Sequence, residues 1–111
     1  MAIKGLQITS ARVDVTGGPN LTDTFVVIGY DQQSRASSTP GFVATFQVMP
    51  LTFRNEDAFD TEKSPMLQFG GVYYLDLTQA SLDGATLRDD IYTALKSALE
   101  AEGHTVTVVN K

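Results

Sequence analysis

Apolar and polar residues along this chain of 111 change their spacing in step, and each spacing predicts an element. Residues 3–16, IKGLQITSARVDVT, are rich in β-formers, but Leu6 and Ile8 fall on even positions whereas Val13 and Val15 fall on odd ones. Successive strand side chains point to opposite faces, so the change of parity demands a bulge or break near Ser10 and Ala11. TGGPN at 16–20 is a turn. TDTFVVIGY at 22–30 carries a near-continuous apolar run, the mark of a strand covered on both faces. GFVATFQVM at 41–49 alternates, with Phe42, Ala44, Phe46 and Val48 on one face, and Pro50 closes it.

Between those strands lies SRASSTPGF, 34–42, small and polar, in a loop over 31–41 that is longer than a hairpin needs. A second long connection, PLTFRNEDAFDTEKSP at 50–65, has no periodicity. Alternation returns in MLQFGGVYYLDLT, 66–78, where Leu67, Phe69, Tyr73, Leu75 and Leu77 share a parity and Gly70 and Gly71 mark a bulge or close approach. From Leu87 to Glu102 the spacing becomes helical: Leu87, Ile91, Ala94, Leu95, Ala98 and Leu99 make one stripe, and Asp89, Thr93, Lys96 and Glu100 face away. Thr86 with Asp89 resembles a capping box, and Gly103 suits the left-handed residue after the last turn. TVTVVN at 105–110 ends the chain as a strand. The order predicts an α+β fold: a mostly antiparallel curved sheet or partial β-sandwich of about five strands with one amphipathic C-terminal helix. A single domain over 1–111 is expected from the length.

Charge narrows the partners. Eight basic residues are scattered among thirteen acidic ones, for a net charge of −5. Nucleic-acid affinity rests on phosphate neutralisation, so direct nucleic-acid binding is not expected, nor is binding to an anionic membrane. There is no cysteine, which excludes disulfides, thiolate metal sites and Cys nucleophiles together. MAIKGLQITS lacks the apolar core of a signal peptide and no stretch is long enough to span a membrane, so synthesis in the cytoplasm is expected.

No residue set carries a recognisable chemistry. His104 is the sole histidine and has no further His or Cys ligands to complete a zinc site. It is expected to act as a neighbour of the helix C-cap, near Glu100 and Glu102. Asn55, Glu56, Asp57, Asp60 and Glu62 lack the Gly-kinked register of a calcium loop and read as a solvated run. Asp89 and Asp90 point about 100° apart on a helix and suit its dipole instead of a shared substrate atom. The glycine pairs at 17–18 and 70–71 lack the sequel of a phosphate loop, and Ser34, Ser37 and Ser38 lack a nucleophile-elbow setting. No catalytic, cofactor-binding or metal residue is assigned, and an enzyme is not expected.

Surface and assembly remain. Tyr30, Tyr73, Tyr74, Phe53 and Phe59 are residue types that fill cores and anchor interfaces alike. Taken whole, the short, acidic, Cys- and Trp-free chain, with Thr/Ser/Gly-rich strands such as KGLQITSARVDVTGG, long polar loops and one late helix, resembles small virion structural proteins of tailed bacteriophages. The resemblance implies a non-catalytic structural subunit of the virion, in capsid decoration, head-to-tail connection or the tail. Its partners would be copies of itself in a homo-oligomer, or other virion proteins. The interface expected from the two long loops comprises Arg35, Ser37, Ser38, Phe53, Arg54 and Phe59, and deletion of 34–39 is expected to leave the fold and abolish assembly. The alternative is a monomeric acidic binding module or inhibitor that docks on a basic protein surface.

Overall fold

The computed structural model describes residues 2–12, 20–66 and 71–111. Its strands are β1 (Ile3–Ile8), β2 (Thr24–Ala36), β3 (Ala44–Phe53), β4 (Tyr73–Leu77) and β5 (Val106–Asn110), and its helices α1 (Glu56–Asp60), α2 (Gln79–Asp83) and α3 (Leu87–Ala101). The strands form one open sheet in the order β4-β3-β2-β1-β5, and every neighbouring pair is antiparallel. The first four strands make a meander. Helix α3 then carries the chain across the sheet, so that β5 pairs with β1 at the far edge. The α+β antiparallel architecture is as the hydropathy pattern predicts.

Strand parity decides what each face carries. Leu6 and Ile8 of β1, Val26 and Ile28 of β2, Ala44, Phe46 and Val48 of β3, and Leu75 and Leu77 of β4 form the main core with Ile91, Tyr92, Leu95 and Leu99 of α3. On the opposite face Phe25, Val27 and Phe53 form a second cluster, packed against Ala58 and Phe59 of α1 and Val109 of β5. The continuous apolar run TFVVI arises because this part of β2 is covered on both sides. Gly5 is required beneath the second cluster: a Cβ there would lie 2.5 Å from Phe25 Cζ and 2.8 Å from the Val26 carbonyl oxygen.

Element boundaries depart from the sequence expectation in four places. β2 does not end at Tyr30 but runs to Ala36, because its second half is held by β3 alone, with register shifts between Ile28 and Tyr30 and between Gln33 and Arg35. Pro50 does not close β3, which continues to Phe53. Pro50 lies opposite Ile28, whose N–H and C=O are bonded to α3 side chains on the other side of β2, and β4 pairs with β3 only as far as Val48. A missing N–H at that position breaks no ladder bond. Within the connection after β3, Asn55 Oδ1 accepts the Ala58 N–H at 2.7 Å and starts α1. Likewise Thr78 caps α2 by accepting the Ser81 N–H.

Helix α3 matches its predicted span, and Gly103 takes φ +97° as expected. Thr86, however, makes no side-chain cap bond. Asp89 turns away from it, and its Oδ1 accepts the Ile3 N–H at 2.9 Å. The parity break after Ile8 coincides with the end of β1, and Arg12 and Leu21 form an isolated antiparallel bridge. Val13, Val15, Leu67, Phe69, Gly70 and most of the TGGPN turn lie outside the described residues.

Candidate assembly surface

β1 and β2 part company after three residue pairs, Leu6–Ile8 with Val26–Thr24. At the fork the Tyr92 hydroxyl accepts the Ile28 N–H at 3.0 Å, and Arg88 donates to the Ile28 carbonyl at 3.2 Å. Arg88 also faces Asp31 at 3.6 Å and lies over the Tyr92 ring. Two α3 side chains thus replace the strand that has left. Beyond them the β1-facing edge of β2 carries no strand among the described residues, and it bears Asp31, Gln32, Gln33, Ser34 and Arg35 with its two register shifts. Bulges and charged side chains are how native sheets prevent edge-to-edge pairing. The exposed edge is therefore a poor docking site.

The sheet's other face is the one opposite α3. The register puts Tyr30 across from Met49, Gln32 across from Gln47, Arg35 across from Thr45, Gln47 beside Tyr74 and Thr45 beside Asp76. Helix α1 covers its far end, over Phe25 and Phe53. The remainder is open: Leu51 is 37% exposed, Met49 43%, Tyr30 46% and Tyr74 56%. Leu51 is held down against the backbone at Gly29, where a Cβ would come within 2.6 Å of its Cγ. These four residues make one apolar strip across β2, β3 and β4.

The polar end of the strip is built, not loose. Asp76 accepts hydrogen bonds from Thr45 Oγ1 at 2.6 Å, Thr39 Oγ1 at 2.9 Å and Ser37 Oγ at 3.0 Å, and Ser37 Oγ also accepts the Thr39 N–H. Those bonds, from Thr45 first, and the nearby Arg35 charge hold the Asp76 carboxyl below the usual carboxylate range. Arg35 lies over the Tyr74 ring at 5.4 Å. The SRASSTPGF segment is thus half strand and half a turn tied to β4, where the sequence predicts an open loop. Deleting 34–39 would remove paired β2 residues as well as the tether, so it does not isolate an interface.

The six residues expected at the interface fall at the two ends of this face. Arg35, Ser37 and Ser38 sit at the hairpin end; Ser38 is exposed there. At the other end Phe53 is buried and meets Phe59 edge-on at 5.2 Å, and Phe59 also lies against Phe25 at 5.4 Å. These two rings fill the chain's own second cluster. Arg54 is exposed and donates to the Thr22 carbonyl at 3.4 Å. In the middle of the face, Tyr30 and Tyr74 are among the aromatics the sequence marks as core or interface residues, whereas Leu51 and Met49 are not marked by it. Their signal was the odd parity of Met49 and Leu51 against Phe46 and Val48, which is visible only if β3 is allowed to run through Pro50.

Elsewhere several charged groups hold elements together. Lys4 bridges Glu56 at 2.6 Å and Asp60 at 2.8 Å, and those bonds, Asp60 foremost, raise its pKa. The acidic run is therefore partly the clamp that fixes α1 to β1. Tyr73 donates to both carboxylate oxygens of Glu102, at 2.8 and 3.1 Å, and Lys96 bonds Glu100 at 3.0 Å. Burial first, then the bond to Glu102 and its charge, push the Tyr73 phenol up to about 12, opposed by Arg12. The His104 ring lies 3.4 Å from Ser10 Oγ, and its backbone N–H donates to the Leu99 carbonyl.

A groove of about 240 Å³ between β4, α2 and α3 is lined by Thr78, Ser81, Thr93 and Asp90, but the first three hydroxyls already bond within the chain. A cavity of about 190 Å³ at the β1/β2 fork is lined by Lys4, Arg88 and Lys111, of which Lys4 and Arg88 face carboxylates. Among the described residues no three His, Asp or Glu side chains gather as metal ligands. Comparison with protein families, curated proteins and solved structures finds no match to this chain.

Proposed function

We propose that the chain is a non-catalytic structural subunit that assembles with copies of itself or onto a larger shell, as the capsid-decoration, connector and tail proteins of tailed phages do. Its place would be the virion, after synthesis in the host cytoplasm. The observation that carries the reading is the apolar strip of Leu51, Met49, Tyr30 and Tyr74, which is exposed and which none of the described elements covers, although α1 covers the same face beside it. Exposed apolar patches of this kind mark sites of association. The bound surface is thus the sheet face, framed by the Arg35 turn and the α1 end, instead of two flexible loops.

The test is mass in solution by light scattering over a concentration series, at low and moderate salt. A defined oligomer whose formation is indifferent to salt is the expected outcome. A monomer at every concentration whose only association is a salt-weakened one with a basic protein would overturn the proposal in favour of the acidic binding module.

A further inference from the structure

The open face has unlike ends. At one stands α1 with Glu56, Asp57 and Asp60, next to Arg54; at the other, on the hairpin side, Arg35 stands near Asp76, whose carboxylate is held by three hydroxyl bonds. Glu56 and Asp60 are engaged by Lys4, while Asp57 is exposed. Between the ends, the outward positions are Leu51, Met49, Tyr30, Gln47, Gln32 and Tyr74, all uncharged in a chain of net charge −5. Two acidic molecules repel least where their surfaces are neutral. The shape is also a step: α1 stands above the sheet at one end, and sheets stack face to face about 10 Å apart, close to the thickness a helix adds.

We infer that the occupant of this face is a second copy of the chain, related by a two-fold axis near Met49, with each Arg35 turned toward the acidic α1 of the other copy. The inference rests on the assembly role proposed above. A two-fold axis brings each strip onto its twin and exchanges the ends, so that the step of one copy fills the open end of the other and each exposed Arg35 meets the exposed Asp57 of its twin. Nucleic acid or an anionic membrane would require a cationic face, and on this one Arg35 and Arg54 stand against Asp57, Asp76 and the Lys4-bound Glu56 and Asp60. Four large side chains, each about half exposed, offer roughly 350 Å² per copy, and even with a polar rim this approaches only the small interface class. The dimer is therefore concentration-dependent.

Because the chain has no cysteine, a single introduced thiol reports the geometry directly. Met49→Cys is expected to form a symmetric disulfide under mild oxidation, while Thr93→Cys, on the outward side of α3, is not. Sedimentation of the wild type is expected to show a monomer–dimer equilibrium that Met49→Glu abolishes. Arg35→Glu should weaken it about tenfold, and adding Asp57→Arg should recover most of that loss. An oligomer that Met49→Glu leaves intact and Met49→Cys does not trap would overturn this inference while leaving the assembly role in place. A monomer throughout would overturn it and remove the self-association on which that role draws.

Discussion

Tyr92 shows how much one hydroxyl organises. Its ring is fully buried in the main core, yet its oxygen reaches the fork of β1 and β2 and accepts the Ile28 N–H. Tyr92→Phe keeps the packing and leaves that N–H unpaired inside the fold, so it should destabilise by about 1–3 kcal/mol, measurable by urea unfolding. Gly5→Ala tests a different cost, since the added methyl meets the Phe25 ring and the Val26 carbonyl at once. Overpacking of this kind should cost about 1–3 kcal/mol in the same assay. Neither role is written in local sequence. Tyr92 stands three and seven residues before Leu95 and Leu99 yet is not part of the stripe read from sequence, and the atom it satisfies is 64 residues away.

Between elements, two small polar ties act in opposite pH ranges. Asp76 fastens the turn after β2 to β4 through the Ser37 and Thr39 hydroxyls and accepts a third bond from Thr45 of β3, and all three favour its ionised form. A carboxyl with a depressed folded pKa contributes stability that is present above its unfolded value near 4 and lost as pH falls through the folded one. Urea unfolding from pH 5 downward should therefore show a stability loss in the wild type that Asp76→Asn does not share. Tyr73 links β4 to the end of α3 through Glu102, and its folded pKa of about 12 lies above the ordinary value of 10.0. That tie is fully present below pH 10 and is lost as pH rises through 12. Tyr73→Phe should flatten the alkaline limb over that window.

At the scale of the molecule, the meander leaves β1 as the far edge, and α3 must cross the sheet to deliver β5 beside it. The crossing packs α3 on one face, and among the described residues only the five-residue α1 lies on the other. The incompletely covered face is thus a consequence of topology. If copies meet there, thermal stability depends on concentration, because association of folded molecules pulls the unfolding equilibrium toward the folded state. The melting temperature should rise with protein concentration in the wild type and stay constant in Met49→Glu.

Hydropathy spacing alone determined the fold class, the span of α3 with its glycine stop, and the strand at 105–110, because these rest on local periodicity and backbone preference. It also marked β2 as a strand covered on both faces, since TFVVI has no polar break, and the structure places that strand at the centre of the sheet. What tertiary structure decided is where β2 and β3 end, that Phe53 and Phe59 point inward, and that Leu51, Met49, Tyr30 and Tyr74 point out together. Those outcomes depend on the pairing register across strands and on which face α1 and α3 reach. A side chain's exposure is set by partners distant in sequence, and no local spacing encodes them.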